Sequence, residues 1–348
     1  MKPLPPKTEV KTSDFYFDIP DRLIAQQPSP DRGISRLMIL KRCSGQVLEA
    51  TTNQLADYIA PDTVVVLNDT RVRKARLYGN AHKNGGRVEF LLLEELKPGL
   101  WKALVSKSKK QRPGKTFHFP GGMQGMITGS EGHTKYIQFH PPINDRYLEA
   151  HGHIPLPPYI KRKATAEDEQ RYQTIYARSI GSAAAPTAGL HLTSEVLDSL
   201  KEKGIEVAAV TLHVGLGTFL PIRTPNIEEH TMHKERYSIS RHTAQLINKA
   251  LKSSRKIMAV GTTVVRALET ACPARELMPG EGRTDIFIYP GYRFKVVSQL
   301  LTNFHTPGST LLILVSALAG RQKILSAYRE AVRRGYRFFS YGDAMLIL

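Results

Sequence analysis

The stretch Gly181-Ser-Ala-Ala-Ala-Pro-Thr-Ala-Gly-Leu-His-Leu-Thr193 organises the rest of the chain. It combines small residues, one proline and two glycines, which disfavours helix and strand but lets a backbone lie close to a ligand. Thr193 has the character of an N-cap, and Val196 and Leu200 fall on one apolar stripe. The pattern therefore predicts a loop that leads into a helix ending at Gly204.

Three residues of this loop, Thr187, Gly189 and His191, are candidate ligand contacts. Free N–H groups and the helix dipole favour a carboxylate or phosphate at the N-terminus that the loop approaches. The alternative is that the small residues only allow a helix to pack closely on a sheet. The loop alone leaves both interpretations open.

Composition narrows the class of protein. The chain has 348 residues, enough for roughly two domains, and 49 Lys and Arg against 31 Asp and Glu give a net charge of +18. Such an imbalance indicates a polyanionic partner. The N-terminus lacks an apolar signal segment, and the longest apolar run, Leu311 to Ala319, is too short to span a bilayer. We therefore expect a cytoplasmic protein without a membrane partner.

The fold class is predicted to be α/β: a layered α/β domain with an inserted small all-β barrel. Residues 14–70 and 150–348 show alternating helix and strand patterns and are expected to form one discontinuous catalytic domain. Its predicted elements include a hairpin around Gly45, a buried strand from Val64 to Leu67 and a strand from Thr284 to Tyr289. Residues 71–149 contain short β-rich runs about ten residues apart, which is typical of a barrel. Residues 1–13 are expected to be a disordered tail.

Two stretches of the predicted barrel are basic and contain no acidic residue, Val72 to Val88 and Trp101 to Thr116. Cations on a β-module are typical of an RNA-binding platform, although a solvated basic face is the alternative. The predicted tRNA-binding residues are Arg73, Lys74, Arg76, Lys107, Lys109, Lys110 and Arg112.

Polar residues also follow predicted strands of the α/β domain, at positions where such folds keep ligand contacts. Beyond the loop, the candidate substrate-binding residues are Asn68, Asp69, Arg71, Gly215, Gly217, Thr262, Arg266, Glu269 and Asn303. His213 and His305 lie among them. Each histidine could equally be a structural group, but together with His191 they indicate one cleft.

The sequence contains parts of a dinucleotide-binding motif and of a zinc-binding motif, but neither motif is complete. Gly215-Leu-Gly217 lacks the third glycine of a dinucleotide fingerprint, and Pro221 blocks the helix that should follow. The segment Glu229 to Glu235 contains His230 and His233 but lacks the i, i+4 histidine pair of a zinc helix, so no metal is expected. Neither a metal nor a redox cofactor is predicted.

Several motifs resemble the S-adenosylmethionine:tRNA ribosyltransferase-isomerase family, in order from about Asp14 to the C-terminus. Thr306 and Gly308 depart from the family pattern, which leaves the shape of the loop beside His305 open. The motifs are Asp31-Arg-Gly-Ile-Ser-Arg36, Asn68-Asp-Thr-Arg71, Tyr172-Gln-Thr-Ile-Tyr-Ala177, Ala185-Pro-Thr-Ala-Gly-Leu-His191, His213-Val-Gly-Leu-Gly-Thr-Phe219, Gly261-Thr-Thr263, Tyr289-Pro-Gly-Tyr292, Leu301-Thr-Asn-Phe-His305 and Arg337-Phe-Phe-Ser-Tyr-Gly-Asp-Ala344.

The resemblance implies an α/β domain with an inserted barrel and a role in queuosine biosynthesis. Such an enzyme transfers and isomerises the ribosyl group of S-adenosylmethionine onto 7-aminomethyl-7-deazaguanine at the tRNA wobble position. The products are epoxyqueuosine, adenine and methionine, so S-adenosylmethionine is a consumed substrate and no cofactor is implied. We expect a monomer. Alternatives are another S-adenosylmethionine-dependent tRNA modifier, such as a methyltransferase, or a non-catalytic tRNA-binding protein.

The implied chemistry needs a base that removes a proton next to the sulfonium. Histidine suits this task because its ordinary pKa lies near the working pH. The candidates are His191, His213 and His305, and His191 is the first choice because it ends the small-residue loop.

Overall fold

The fold is built around one fully buried strand, β3 (Val64–Asn68), in a computed structural model that describes residues 10–82, 85–215, 222 and 224–348. The run of β-branched residues suits a strand covered on both faces. β3 pairs in parallel with β12 (Glu206–Leu212) on one side and β14 (Ile257–Val260) on the other. The buried strand predicted at this position is confirmed.

A nine-stranded mixed sheet extends from this centre, in the order β15-β13-β12-β3-β14-β16-β17-β1-β2. The predicted hairpin around Gly45 is confirmed as β1 and β2. The remaining strands of the sheet are β1 (Arg36–Lys41), β2 (Gln46–Thr51), β13 (Glu235–Ile239), β15 (Gly280–Thr284), β16 (Gln299–Asn303) and β17 (Ala344–Ile347).

Helices cover both faces of the sheet. Val64 and Val66 face a large core shared with α4 to α7, whereas Val65 and Leu67 face a smaller core shared with α3. Thr193 caps α3 as predicted, because its hydroxyl accepts a hydrogen bond from the Val196 N–H. The helices are α1 (Asp145–His151), α2 (Ala166–Arg171), α3 (Ser194–Glu202), α4 (Arg241–Lys252), α5 (Thr262–Ala271), α6 (Thr310–Ala319) and α7 (Arg321–Arg333).

The predicted barrel is confirmed as a closed antiparallel barrel in the order β10-β7-β6-β5-β8-β9. Aromatic side chains such as Phe90 and Phe117 fill its interior. The barrel strands are β5 (Arg76–Ala81), β6 (Arg87–Lys97), β7 (Leu100–Val105), β8 (Thr116–His118), β9 (Gln124–Glu131) and β10 (Thr134–His140).

A small sheet of β4 (Thr70–Val72) and β11 (Ser179–Ser182) joins the end of β3 to the loop around Gly181. All barrel strands lie between Arg76 and His140, inside the predicted insertion. The predicted limits of the two domains stay predictions.

The structure corrects two expectations. Residues 11–13, predicted to be disordered, lie against the chain near residue 225: Lys11 bridges Asn226, and the Thr12 N–H donates to the Pro225 carbonyl. Residues 1–9 lie outside the described part. The strand predicted from Thr284 to Tyr289 instead ends at Thr284, because the apolar side chains that follow pack on the large core without joining a ladder.

Among the described residues, no single helix is long and apolar enough to cross a membrane. The helix pair α6 and α7 reaches that length and composition only together, and it bends by 116°.

Candidate active site

The carboxyl ends of β3, β12, β14 and β16 meet at one edge of the sheet, because these neighbouring strands run parallel. In this sheet the strand that follows β3 along the chain, β12, pairs on one side of β3, and the later strand β14 pairs on the other side, so the strand order reverses at β3. Ligands of α/β proteins commonly bind at such a reversal, beyond the carboxyl ends of the strands. Asn68, His213, Gly261 and Asn303 stand at or just beyond these four ends.

The loop that leads into α3 approaches this edge and contains a 3-10 turn from Thr187 to His191. A Cβ on Gly189 would lie 2.1 Å from the Tyr176 hydroxyl oxygen, so this glycine is needed for packing against Tyr176. A Cβ on Gly181 would lie 2.7 Å from the His213 ring. The loop therefore packs closely against His213, and the interpretation of Gly189 as a ligand contact stays a prediction.

Asn68 is a structural clamp, which corrects its prediction as a substrate contact. It is fully buried, and its amide nitrogen donates to the Leu212 carbonyl (3.0 Å) and the Thr263 hydroxyl (3.2 Å). Its amide oxygen accepts from the N–H groups of Thr70 (3.2 Å) and Leu212 (2.9 Å). With these four bonds the amide has no capacity left for a ligand.

Glu269 is also structural, contrary to the prediction. Its buried carboxylate accepts hydrogen bonds from the Tyr292 hydroxyl and from the N–H groups of Lys295, Val296 and Val297. These bonds hold the segment that leads to β16.

Arg266 and Gly215 are linked through a buried carboxylate rather than arranged around a ligand. Arg266 forms an ion pair with Glu235, and the same carboxylate accepts from the Gly215 N–H at 2.8 Å. This ion pair therefore fixes the beginning of the segment after β12. The predicted contact Gly217 lies outside the described residues.

His213 is half-buried, whereas the other two candidate histidines are buried. The Thr70 hydroxyl lies 2.8 Å from its Nδ1 and 3.5 Å from the Ser179 carbonyl oxygen. A hydroxyl that donates to this carbonyl accepts from Nδ1–H, and the proton-free nitrogen is then Nε2. Within the described residues Nε2 has no hydrogen-bond partner. Burial, with smaller contributions from Arg236 and Arg73, lowers the pKa of His213.

His191, the first choice from the sequence, is differently placed. It is 4% exposed, and its Nε2 lies 3.1 Å from the Asn303 amide nitrogen, which also donates to the Phe339 carbonyl. The Nε2 lone pair therefore accepts from Asn303. Burial, then Arg337 and Arg32, lowers the pKa of His191 to about 4. This geometry suits a neutral hydrogen-bonding group better than a base.

His305 is 8% exposed, and its Nε2 lies 2.8 Å from the Thr302 hydroxyl. Burial lowers its pKa to about 3, so the ring is neutral at physiological pH.

His305 lines a cavity at the sheet edge, which we call the neutral cavity. It brings together the predicted residues Thr187, Thr262 and Asn303. Sequence reasoning missed Thr263 and Thr302 as site residues, although each directly adjoins a predicted one. The cavity is lined by Ala185, Pro186, Thr187, Ala188, Val214, Gly261, Thr262, Thr263, Thr302, Asn303, His305 and Leu311.

His191 lines a separate cavity, which we call the arginine cavity. Arg32 and Arg171 supply its positive charge, and Asp31 is its acidic member. Arg32 lies in one of the motifs that carry the family resemblance, but the sequence alone predicts no role for it. The two arginines are 139 residues apart in the sequence, so their meeting in one cavity becomes visible only in the fold.

Asp69 lies in neither cavity. It lines a third cavity with Tyr176 and Arg178, and its carboxylate accepts from the Thr211 hydroxyl at 2.6 Å. Arg71 is exposed on β4 and has no ion-pair partner within the described residues. The expected single cleft is therefore divided: the predicted residues that line these cavities are spread over three of them, and His213 and Arg71 line none of the three.

The predicted tRNA-binding residues also divide into two groups. Arg73 pairs with Asp145, Lys74 with Glu149 and Glu169, and Arg76 with Glu89. These half-buried cations are paired with carboxylates of the protein, and their assignment to tRNA binding stays a prediction.

The second group, Lys107, Lys109, Lys110 and Arg112, is exposed around a 3-10 turn that follows β7. No ion pair joins these four residues to an acid of the described chain. We call them the basic loop.

Within the described residues no group of three or more His, Cys, Asp or Glu side chains could hold a metal ion.

The chain matches the model of a protein family described as queuosine biosynthesis protein over residues 12–347. It is 50% identical to the S-adenosylmethionine:tRNA ribosyltransferase-isomerase of Treponema denticola over 346 residues, covering 97% of this chain and 99% of the relative. The enzyme of the same name from Symbiobacterium thermophilum is also 50% identical, over 97% of this chain and 100% of its own.

A solved structure gives the same result. The crystal structure of an S-adenosylmethionine tRNA ribosyltransferase from Thermotoga maritima is 36% identical, with a TM-score of 0.56, and the match covers 97% of this chain and 100% of that one. The chain belongs to the family of S-adenosylmethionine:tRNA ribosyltransferase-isomerases.

Proposed function

We propose that this chain transfers the ribosyl group of S-adenosylmethionine to 7-aminomethyl-7-deazaguanine at the wobble position of tRNA and isomerises it. The tRNA product carries epoxyqueuosine, and adenine and methionine are released. The observation that carries the proposal is the match to the curated enzymes at half identity over nearly the whole chain.

We assign the general base to His213. The base must present a nitrogen lone pair to the substrate. His213 is half-buried and its Nε2 has no hydrogen-bond partner within the described residues, whereas His191 and His305 are buried and the Nε2 of His191 accepts from Asn303. A lowered pKa keeps His213 unprotonated at neutral pH, which is the form that accepts a proton.

The basic loop supports tRNA binding, because its cations are not neutralised by carboxylates of the described chain. The proposal further includes a monomer located in the cytoplasm, S-adenosylmethionine as a consumed substrate, and no requirement for a metal or redox cofactor. A purified enzyme that lost turnover with a chelator and regained it with one divalent ion would contradict the last point.

The test is to incubate the protein with S-adenosylmethionine and tRNA carrying the deazaguanine precursor, and to identify the small products by mass spectrometry. The proposal predicts equal amounts of adenine and methionine. A methyltransferase would release S-adenosylhomocysteine instead, and a non-catalytic tRNA-binding protein would leave S-adenosylmethionine unchanged.

A further inference from the structure

The neutral cavity has no charged side chain among its described lining residues. Its walls consist of small or apolar residues, four threonines, Asn303 and His305, and burial keeps His305 uncharged. An ion placed in such a site loses its hydration without gaining an opposite charge. The cavity therefore suits an uncharged ligand that is partly apolar and partly hydrogen-bonding.

Asn303 supplies a buried acceptor that the protein does not use. The residue is 2% exposed, and its amide nitrogen is occupied by His191 and the Phe339 carbonyl. Because an amide nitrogen must donate to that carbonyl, the orientation of the amide is fixed. Its oxygen is buried without a hydrogen-bond partner. A buried unpaired acceptor is costly, and an N–H group of a ligand would satisfy it.

Hydrogen-bond donors face the same space. The ten-residue helices α5 and α6 both begin there, and Thr262, Thr263 and Leu311 of their first turns line the cavity. First-turn N–H groups of a helix lack partners within that helix and can donate to acceptor atoms of a ligand. The ligand should therefore carry both an N–H donor and acceptor atoms.

S-adenosylmethionine has two ends that carry donors and acceptors, the adenine base and the charged amino acid. The amino-acid end is a zwitterion, and the arginine cavity beside His191 offers it Arg32 and Arg171 together with Asp31. Adenine is neutral, with an exocyclic amine as donor and ring nitrogens as acceptors. The charged amino-acid end therefore suits the arginine cavity, and the uncharged adenine base suits the neutral cavity.

We propose that the neutral cavity binds the adenine base of S-adenosylmethionine, with the Asn303 oxygen accepting from the exocyclic amine. The assignment rests on the proposed function, since that function supplies the substrate. Ring nitrogens of the base accept from hydroxyl or N–H groups at the beginnings of α5 and α6. Ala188 and Val214 supply apolar contacts to the ring.

The ligand test compares 5′-methylthioadenosine with its inosine counterpart as inhibitors of the unmodified enzyme. The two compounds differ at position 6, an amine in the first and a carbonyl oxygen in the second, and consequently at N1, which is an acceptor in the first and an N–H donor in the second. A carbonyl oxygen facing the Asn303 oxygen leaves two acceptors unpaired, so the inosine compound should bind at least about tenfold more weakly. Equal inhibition by both, or inhibition by neither up to their solubility limits, would overturn the assignment.

A variant locates the effect. Leu311 is half-buried and lines the neutral cavity, so Leu311→Trp should fill it and weaken inhibition by 5′-methylthioadenosine at least about tenfold, with Leu311→Met as a size-matched control. Melting temperature and tRNA affinity, measured on both variants, should stay near those of the parent. Unchanged inhibition in a folded Leu311→Trp protein would place adenine elsewhere.

The failure of this assignment and that of the proposed function are distinguishable. If the enzyme releases adenine and methionine but the inhibitors show no dependence on position 6, only the cavity assignment is wrong. If no adenine is released at all, the proposed function is wrong whatever binds in the cavity.

Discussion

At the scale of single residues, His213 is the side chain on which turnover should depend most. His213→Ala should reduce kcat by about 10²- to 10⁴-fold, the usual contribution of a general base, with little change in tRNA affinity. His191→Ala should cost less, since its Nε2 already accepts from Asn303. Single-turnover kinetics on both variants check this order. A folded His213→Ala enzyme that kept its turnover would remove His213 from the mechanism.

The pH dependence of kcat/KM gives an independent check on the same residue. A base works in its unprotonated form, so activity should be complete at neutral pH and fall as the pH drops through the lowered pKa of His213. The acidic limb should therefore lie below pH 6.5, the ordinary value for histidine. A limb above this value would assign the base to another group.

Buried His305 should make the fold sensitive to acid. Its pKa is about 3 in the folded state against 6.5 in the unfolded chain, so the unfolded state binds the proton first as pH falls. Its contribution to stability is complete above pH 6.5 and is lost progressively below it. At pH 5 the loss is on the order of 2 kcal/mol, at about 1.4 kcal/mol for each pH unit.

Thermal unfolding between pH 7 and pH 5 measures this effect. His305→Asn should flatten the dependence of melting temperature on pH, whereas His133→Asn, at an exposed turn of the barrel, should leave it as steep as in the parent. Equal slopes for both variants would contradict the account of His305.

At the scale of elements, two neighbouring strands carry residues with different expected roles: Asn68 at the end of β3 is structural, and Arg71 on β4 is a functional candidate. Asn68→Ala should destabilise the protein by more than about 2 kcal/mol, because it leaves several buried groups unpaired. Arg71→Ala should reduce activity at nearly unchanged melting temperature, since Arg71 is exposed. Calorimetry with a turnover assay checks both, and a large drop in melting temperature for Arg71→Ala would indicate a structural role.

The basic loop should account for much of the salt dependence of tRNA binding. Lys109→Ala should make the slope of log K against log salt shallower by about 0.7 to 0.9, the contribution of one phosphate contact. Lys74→Ala should instead lower stability, because Lys74 pairs with Glu149 and Glu169. Binding titrations at several salt concentrations distinguish them, and an unchanged slope for Lys109→Ala would exclude the basic loop.

Local patterns made several elements predictable. α3 was predicted because Thr193, the apolar stripe and Gly204 all act within one short segment. The end of β15 was missed because the run Ile286 to Ile288 has strand character, yet its side chains pack on the core without a neighbouring ladder. Whether an apolar run joins a ladder depends on distant strands that the local sequence does not specify.

At the scale of the whole molecule, the site was harder to predict than the fold. Polar residues after strands were correctly placed near one edge, but their roles depend on partners far away in sequence. His213 meets Thr70 across 143 residues, and His191 meets Asn303 across 112. These pairings bear on which histidine presents a free nitrogen, and they join residues far apart in the chain. The local sequence therefore identifies the candidates, and the choice among them stays a prediction.

The most direct test of the central claim follows isotopic label from S-adenosylmethionine into tRNA. Two samples are used, one with carbon-13 throughout the ribose and one with carbon-13 in the methyl group, and the modified nucleoside is analysed by mass spectrometry. Ribosyl transfer predicts that all the ribose carbons appear in the tRNA base and that the methyl carbon appears in free methionine. Methyl label in the tRNA, with ribose label left in S-adenosylhomocysteine, would contradict the account.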